Sequence, residues 1–485
     1  MGTNRLDLRG DAAAGTSIPL PRENAAQEPV RRSAQGATLG SLMDDMPVGG
    51  LHRFVVWVVG IGLFFDMFEI FLVSSIGSAL QHEFGINRQS ADFKLLLASA
   101  FIGMFFGAFC LGSFADRIGR RKAFVFALVW YSVFSLVGAF SFNAGMLVLC
   151  RFLTGIGVGA IYPVADSYLS EILPKERRGR LAAWAYTTSY MAVPLVGFLA
   201  VWLNPLQIGS VAGWRVILAI GSLGAVFVLF VQHRLPESPR WLLARGRVDE
   251  AHAELRRFAD SAGSSLPAIV SDGPAKPHAM GIGERIAVLR QAPYGKRYLM
   301  LVVFHLFQAF GYYGFGTLAS TVVKSRGFDV TDGTLFMALS FLGYPIGSLL
   351  SIPLLNWIER RTLVVTSILS ISVFGFGFAY SGNTVLIVAF GVLTTCASNV
   401  FSNAYHIYQA EIFPAHVRST AIGSTYALSR IMSGALPFLL LPVLNQYGPG
   451  AMFGVISAAL LIVAVVVRAL GPLTTRRSQD EINPV

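Results

Sequence analysis

The sequence predicts an all-α membrane protein with twelve transmembrane helices in two pseudo-symmetric six-helix bundles, and three observations carry that prediction. The first is composition. Of 485 residues, 54% are hydrophobic and only 13% are Asp, Glu, Lys or Arg, and the mean hydropathy is +0.59, whereas soluble chains carry roughly 25% charged residues. A soluble protein is excluded. The second is the spacing of apolar runs. A helix needs about 20 apolar residues to cross a hydrocarbon core, and runs of that order fall near 54–76, 94–115, 123–142, 146–169, 181–203 and 214–233. Six more fall near 298–322, 334–358, 362–380, 384–409, 418–442 and 450–470. The third is an internal repeat at an offset of 240. Asp116, Arg120 and Arg121 are matched by Asn356, Arg360 and Arg361, and Tyr168, Glu171, Pro174 and Arg178 by Tyr408, Glu411, Pro414 and Arg418. Two matches at one offset imply a duplicated six-span unit.

Taken in order, residues 1–50 are rich in Ala, Gly, Pro, Arg and Asp and lack the apolar core of a signal peptide, so a disordered cytoplasmic tail is expected. The first six-helix half covers 51–233. Its second and third spans are joined by Gly112-Ser113-Phe114-Ala115-Asp116-Arg117-Ile118-Gly119-Arg120-Arg121-Lys122, where glycine permits a tight turn and four cations mark a cytoplasmic face. Lys175, Arg177, Arg178, Arg180, Arg360, Arg361, Arg418, Arg476 and Arg477 fall on the same side. An even number of spans returns the C-terminus there. Outer loops are nearly uncharged except between Lys324 and Asp332.

Residues 234–297 form a cytoplasmic linker. It opens with Pro236-Glu237-Ser238-Pro239-Arg240-Trp241, continues as an amphipathic helix near 248–259, and ends in a Gly/Ser/Pro-rich stretch over 261–283. The second half covers 298–470 and a cytoplasmic tail 471–485. The net charge of +11 sits in short loops, where anionic lipid headgroups are the natural partner rather than nucleic acid. Cys110, Cys150 and Cys396 lie inside spans and are packing residues, with no disulfide framework.

Gly112, Asp116, Arg117, Gly119 and Arg120 fall where the loop between helices 2 and 3 of the major facilitator superfamily has its signature, and the chain resembles that family. The six-residue string from Pro236 to Trp241 is similar to the sugar-porter relatives within it. That clan also includes organic-anion, organic-cation and nicotinate transporters, so the string does not choose a substrate. The resemblance implies a central cavity and alternating access by rocking of the halves. The charged loop residues Asp116, Arg117, Arg120, Glu171, Arg178, Glu237, Arg240, Glu411 and Arg418 are then expected to form a cytoplasmic gate. Asp116 would pair with Arg177 or Arg178, and Glu171, Glu411 and Glu237 with Arg418, Arg120 or Arg360, the pairs breaking as the halves rock. Asn356 in place of an acid weakens the second-half latch.

Ionisable groups inside spans cost about 2.5–3.5 kcal/mol at the centre of the membrane on translocon scales and are functional candidates for that reason. Asp66 and Glu69 on span one are three residues apart and share a helical face. Arg151 lies about 8 Å from the outer end of span four and Glu69 about 10 Å from that of span one, so their depths match. In proton-coupled sugar porters an acid at the place of Glu69 faces an arginine at the place of Arg151, and the resemblance implies that pair here. A carboxylate beside a guanidinium is balanced between attraction and desolvation, and a conformational change that shifts the balance loads or unloads a proton. Glu69 is expected to carry the proton with Asp66 as second acid or relay; the alternative is a static ion pair.

Arg430 lies twelve residues beyond Arg418, about 18 Å inward and near the midplane. No acid shares its helix, and a guanidinium fork suits a carboxylate. In the organic-anion and nicotinate branches an arginine follows the glutamate of the Glu-X-X-Pro motif by nineteen residues, which is also the separation of Glu411 and Arg430. Glu69 or backbone carbonyls are the alternative partners. Further candidate ligands are Thr395, Asn399, Asn403 and His406 on span ten, His305, Gln308, Tyr312 and Tyr313 on span seven, and Tyr186 and Tyr190 on span five. Each has an alternative use as a polar bridge between helices.

The expected function is proton-coupled symport of a small organic carboxylate, aromatic ones included. The alternatives are a sugar or polyol, suggested by the linker string with Gln308 and its tyrosines; an organic cation held by Asp66 and Glu69; and a non-transporting nutrient receptor, which the presence of Glu69 and Arg151 opposes. No metal-ligand cluster, nucleophile–base pair or nucleotide loop is visible, so neither an enzyme nor a cofactor or metal is expected. The partners are a small-molecule substrate, protons and the lipid bilayer. A monomer in the inner or plasma membrane, with both termini cytoplasmic, completes the expectation.

Overall fold

A computed structural model of the chain describes residues 39–87, 89–265, 282–325, 330–475, 477 and 479–483. The first half contains span one (Gly50–Phe84), two (Ala91–Ile118), three (Arg120–Ala139), four (Ala144–Ile172), five (Arg178–Tyr190 and Ala192–Leu203) and six (Gly213–Gly221 and Leu223–Val231). The second contains seven (Tyr294–Ser325), eight (Val330–Ser340 and Gly343–Trp357), nine (Arg360–Tyr380) and ten (Thr384–Glu411). Spans eleven and twelve lie in Ala415–Leu470, broken at Gly448 with φ 81°, a left-handed conformation that glycine adopts without steric cost. Twelve spans follow, as the apolar runs predict. The expected tight turn between spans two and three is the single residue Gly119, with φ 102°.

Spans five and eight are each interrupted. A proline cannot donate to the carbonyl four residues before it, and Pro194 and Pro345 thereby release the carbonyls of Tyr190 and Phe341, next to the two breaks. The breaks bring Tyr190 and Tyr344 into a near-parallel stack, with ring centroids 6.4 Å apart. The halves meet through spans one and seven, two and eleven, and five and eight.

The repeat extends from the loops into the spans. A Cβ on Gly103 or Gly107 would overlap the carbonyls of Phe152 and Ile156 on span four, and one on Gly343 or Gly347 would overlap those of Val392 and Cys396 on span ten. All four pairs keep the 240 offset. Small residues that admit a neighbouring backbone hold membrane helices together where no hydrophobic force acts between them. The reverse contacts differ between the halves. Gly155 and Gly159 press on the carbonyls of Ala100 and Met104, whereas Thr395 and Asn399, at the equivalent places, bond the carbonyls of Ser340, at 2.5 Å, and Tyr344. Gly155→Val should cost about 3 kcal/mol or more by overpacking against immovable backbone, seen as a lower unfolding midpoint in detergent. Gly179→Ala, whose Cβ meets nothing within 4 Å, should leave that midpoint unchanged.

On the basic face the two halves repeat each other's bonds. Arg120 pairs with Glu171 at 2.9 Å and Arg360 with Glu411 at 2.8 Å. Arg178 Nε donates to Leu173 O at 3.2 Å and Arg418 Nε to Phe413 O at 3.1 Å. The two ion pairs are among the expected ones; each lies within one bundle and braces the loops of that bundle. Among the described residues no ion pair on this face joins the halves. The side chains of Asp116 and Asn356 lie outside the described residues, as do residues 1–38, most of 261–283, much of the outer loop between Lys324 and Asp332, and Arg476; Arg117 is exposed.

Glu237 does not form the expected ion pair. Its carboxylate accepts from the backbone N–H groups of Arg120 at 2.9 Å and Arg121 at 3.1 Å, capping the positive end of span three. Gly119 makes this possible, since a Cβ there would overlap that carboxylate. Burial pushes the Glu237 carboxyl up from its ordinary range in spite of these donors. The expected disorder of residues 1–50 does not extend to their end. Leu39–Asp45 is a helix with Leu39 and Met43 buried, and Asp44 pairs with Arg178 and Arg240, each at 2.8 Å. An acid between two guanidinium groups supplies the reason.

Candidate substrate and proton site

Span eleven carries Arg430 into the middle of the bundle, where the residue is 2% exposed. Its Nη1 donates to the Tyr313 hydroxyl at 2.6 Å and its Nη2 to that of Tyr426. The guanidinium carbon also lies 4.7 Å from the Tyr426 ring centroid and 5.4 Å from that of Tyr313, within cation–π range. No carboxylate among the described residues is within ion-pair distance of it. Neither Glu69 nor a backbone carbonyl takes the place of that partner.

Glu69 is committed elsewhere. It forms an ion pair with Arg151 Nη1, its backbone carbonyl accepts from Arg151 Nη2 at 2.7 Å, and its Oε1 accepts from Ser135 at 2.5 Å. Both members of the pair are buried, and the matched depths of the two residues are realised as contact. Asp66, one turn earlier, is also fully buried, yet neither carboxyl oxygen has a hydrogen-bond partner among the described residues. Arg430 and Glu69 are the charges that act on it. Two acids on one face of one helix thus have opposite environments.

Beside Arg430 lies a narrow cavity of about 10 Å³, room for about one water molecule. Six of its walls are tyrosines, Tyr162, Tyr190, Tyr312, Tyr313, Tyr405 and Tyr426, and Gln308, Ser402 and His406 add polar groups. Tyr190 and Ser402 hydroxyls are 3.3 Å apart, joining span five to span ten. On the side away from the basic loops, Phe71 of span one packs against Phe341 and Tyr344 of span eight at 5.4 and 5.2 Å. Gly197 lies against Ala338 there, where a Cβ added to the glycine would come within 2.9 Å of the Ala338 Cα. That side is closed by rings and backbone.

The structure brings Gln308, Tyr312, Tyr190 and His406 together around this space. It does not bring Asn399 or Asn403 there. Asn399 is fully buried against span eight, and Asn403 donates to Ser351 at 2.8 Å and reaches Ser348 at 3.3 Å. Both serve as bridges between spans ten and eight, Asn399 to the Tyr344 carbonyl and Asn403 to two serine hydroxyls. His305 stands behind the wall, 3.1 Å from Gln409, which reaches His406 at 3.3 Å. Tyr186 lies just outside the cavity and donates to Asp166. Asp166, Tyr162, Tyr405 and Tyr426 are absent from the sequence-based candidates. Asp166 has the same signal that marks Asp66, an acid within a span.

The sequence pattern of the sugar (and other) transporter family matches residues 55–485. This chain belongs to that family. The transporter is 27% identical over 441 residues to the inner membrane metabolite transport protein YgcS of Escherichia coli (strain K12), covering 89% of this chain and 94% of the relative. It is 26% identical over 448 residues to the niacin transporter NiaP of Acinetobacter baylyi, covering 92% of this chain and 99% of that one. Among solved structures it superposes on the xylose transporter XylE from E. coli, in a partially occluded inward open conformation, with a TM-score of 0.70 at 18% identity over 88% of this chain and 99% of that chain. A bacterial homologue of the human lysosomal transporter Spinster gives 0.59 at 14% identity, over 87% and 96%. The fold is the twelve-helix fold of the major facilitator superfamily, and the family is one of transporters rather than enzymes.

Proposed function

We propose that the transporter is a proton symporter for a small, flat organic carboxylate, held at Arg430 in the tyrosine-walled cavity. One observation carries the reading: among the described residues a buried guanidinium is held by tyrosine hydroxyls and rings and has no ion-pair partner. A buried charge without a counter-charge is costly, and a carboxylate cargo supplies the missing anion in the bidentate geometry that Arg favours. Stacked and edge-on tyrosines suit a planar ring. The relative NiaP is a niacin transporter, and niacin is an aromatic carboxylate, which supports the same class.

Proton coupling follows from the charge count. Glu69 and Arg151 neutralise each other, leaving Arg430 and Asp66. With Asp66 protonated Arg430 has no ionised acid beside it and accepts an anion. With Asp66 ionised its carboxylate competes with cargo for the same guanidinium. Proton and carboxylate therefore reinforce each other's binding, reciprocally. This gives Asp66 the carrier role expected of Glu69, whose side-chain oxygens are already engaged. The basic face is assigned to the cytoplasm of a plasma or inner membrane by the positive-inside rule, with both termini there and the transporter acting as a monomer. A sugar as cargo is favoured by Gln308 and the tyrosine hydroxyls but leaves Arg430 without its anion.

Uptake into proteoliposomes under an inward proton gradient, for carboxylates, neutral sugars and organic cations, tests the reading. Gradient-dependent accumulation of a carboxylate is expected. Accumulation of a sugar alone would overturn it.

A further inference from the structure

We infer that Asp166 and Tyr186 form a second, anionic pole of the cargo site, so that the preferred cargo is a flat carboxylate bearing a cationic nitrogen at its opposite end. The inference rests on the carboxylate reading of Arg430 and adds to it the chemistry of the far end of the cargo.

Asp166 lies in span four, six residues before the end of its helix at Ile172, about 9 Å inside on the basic side. It is solvent-exposed although spans surround it. Its Oδ1 accepts from the Tyr186 hydroxyl, and the Tyr186 ring is stacked on Tyr162, with centroids 6.2 Å apart and planes at 8°. Tyr162 is a cavity wall. Asp166 also interacts electrostatically with Tyr190 and Tyr426, two more cavity walls, and the Tyr426 hydroxyl is the one that Arg430 holds. Tyr186 thus ties Asp166 to a wall of the cavity.

Among the described residues Asp166 has no Lys or Arg within ion-pair distance, so an acid without a cation lies behind the wall of the space beside which Arg430 is held by tyrosines. A cargo with a carboxylate alone satisfies Arg430 and is repelled by Asp166. A cargo with an ammonium or protonated ring nitrogen at its other end satisfies both. An acid beside stacked tyrosine rings is a favourable setting for such a cation, which gains from the ring faces as well as from the carboxylate.

The test compares 4-(aminomethyl)benzoate with 4-ethylbenzoate, which has the same shape without the ammonium, by the concentration of each that gives half the maximal rise in unfolding midpoint of the purified full-length transporter. The wild type should prefer the aminomethyl acid by about tenfold or more, the yield of one charge-assisted hydrogen bond. In Asp166→Asn the ratio should fall to near one through weaker binding of the aminomethyl acid. Tyr186→Phe, which keeps the acid and the ring, should lower the ratio part of the way and serves if the first variant is not recovered folded. A wild type without preference, or a ratio unchanged in both variants, overturns the inference alone. Failure of both acids to shift the wild type, with a sugar shifting it instead, overturns the carboxylate reading as well.

Discussion

Arg430→Lys should lower the initial rate of carboxylate uptake by about a hundredfold or more in proteoliposomes, the equivalent of about 3 kcal/mol. The native guanidinium is held in place by two tyrosine hydroxyls and two tyrosine rings, which aims its remaining N–H groups. Among the described residues Nε of Arg430 has no hydrogen-bond partner. An ammonium is a compact point charge that can neither stack on those rings nor offer a planar pair of donors. The loss belongs to binding and not to folding. Arg430→Met, which removes the buried charge and its desolvation cost, should lose uptake as well while unfolding at or above the wild-type temperature. Uptake at the wild-type rate would show that Arg430 is a structural charge and that the cargo lies elsewhere.

Asp66→Asn should abolish uphill accumulation while leaving exchange of internal for external carboxylate. One proton carried with one monovalent anion allows about tenfold accumulation per pH unit of gradient, since one unit is worth about 1.36 kcal/mol; the variant should reach a ratio near one. An amide at this place imitates the protonated acid, leaving Arg430 available at every pH. Carboxylate affinity should therefore lose its weakening with rising pH. Glu69→Gln should behave differently, because it removes the counter-charge of buried Arg151. Leaving one member of such a pair alone costs about 3–5 kcal/mol, so exchange and accumulation should fall together with stability. A variant of Glu69 that keeps full stability and exchange but loses only accumulation would return the proton to Glu69.

Apolar length and charge spacing are properties of neighbouring residues, and they make the twelve spans, the duplicated unit and the depth of each membrane charge legible in the chain. The turn at Gly119 and the pairing of Glu69 with Arg151 were also within reach, the latter through the family resemblance. Even the breaks in spans five and eight have a local cause in Pro194 and Pro345. The partners of a face are another matter. Thr395, Asn399 and Asn403 recur as one polar stripe, but helical periodicity is the same whether that stripe meets a cavity or a neighbouring backbone, and here it meets span eight. Asp66 and Glu69 share a face, yet one is saturated by spans three and four and the other is left bare. The loop acids and arginines pair inside their own halves because their loops fold there. Six tyrosines from five spans converge on one space, and no spacing along the chain records that convergence. Sequence specifies which groups lie at which depth in the membrane; the packing of spans distant in sequence determines which of them are neutralised and which remain free to bind.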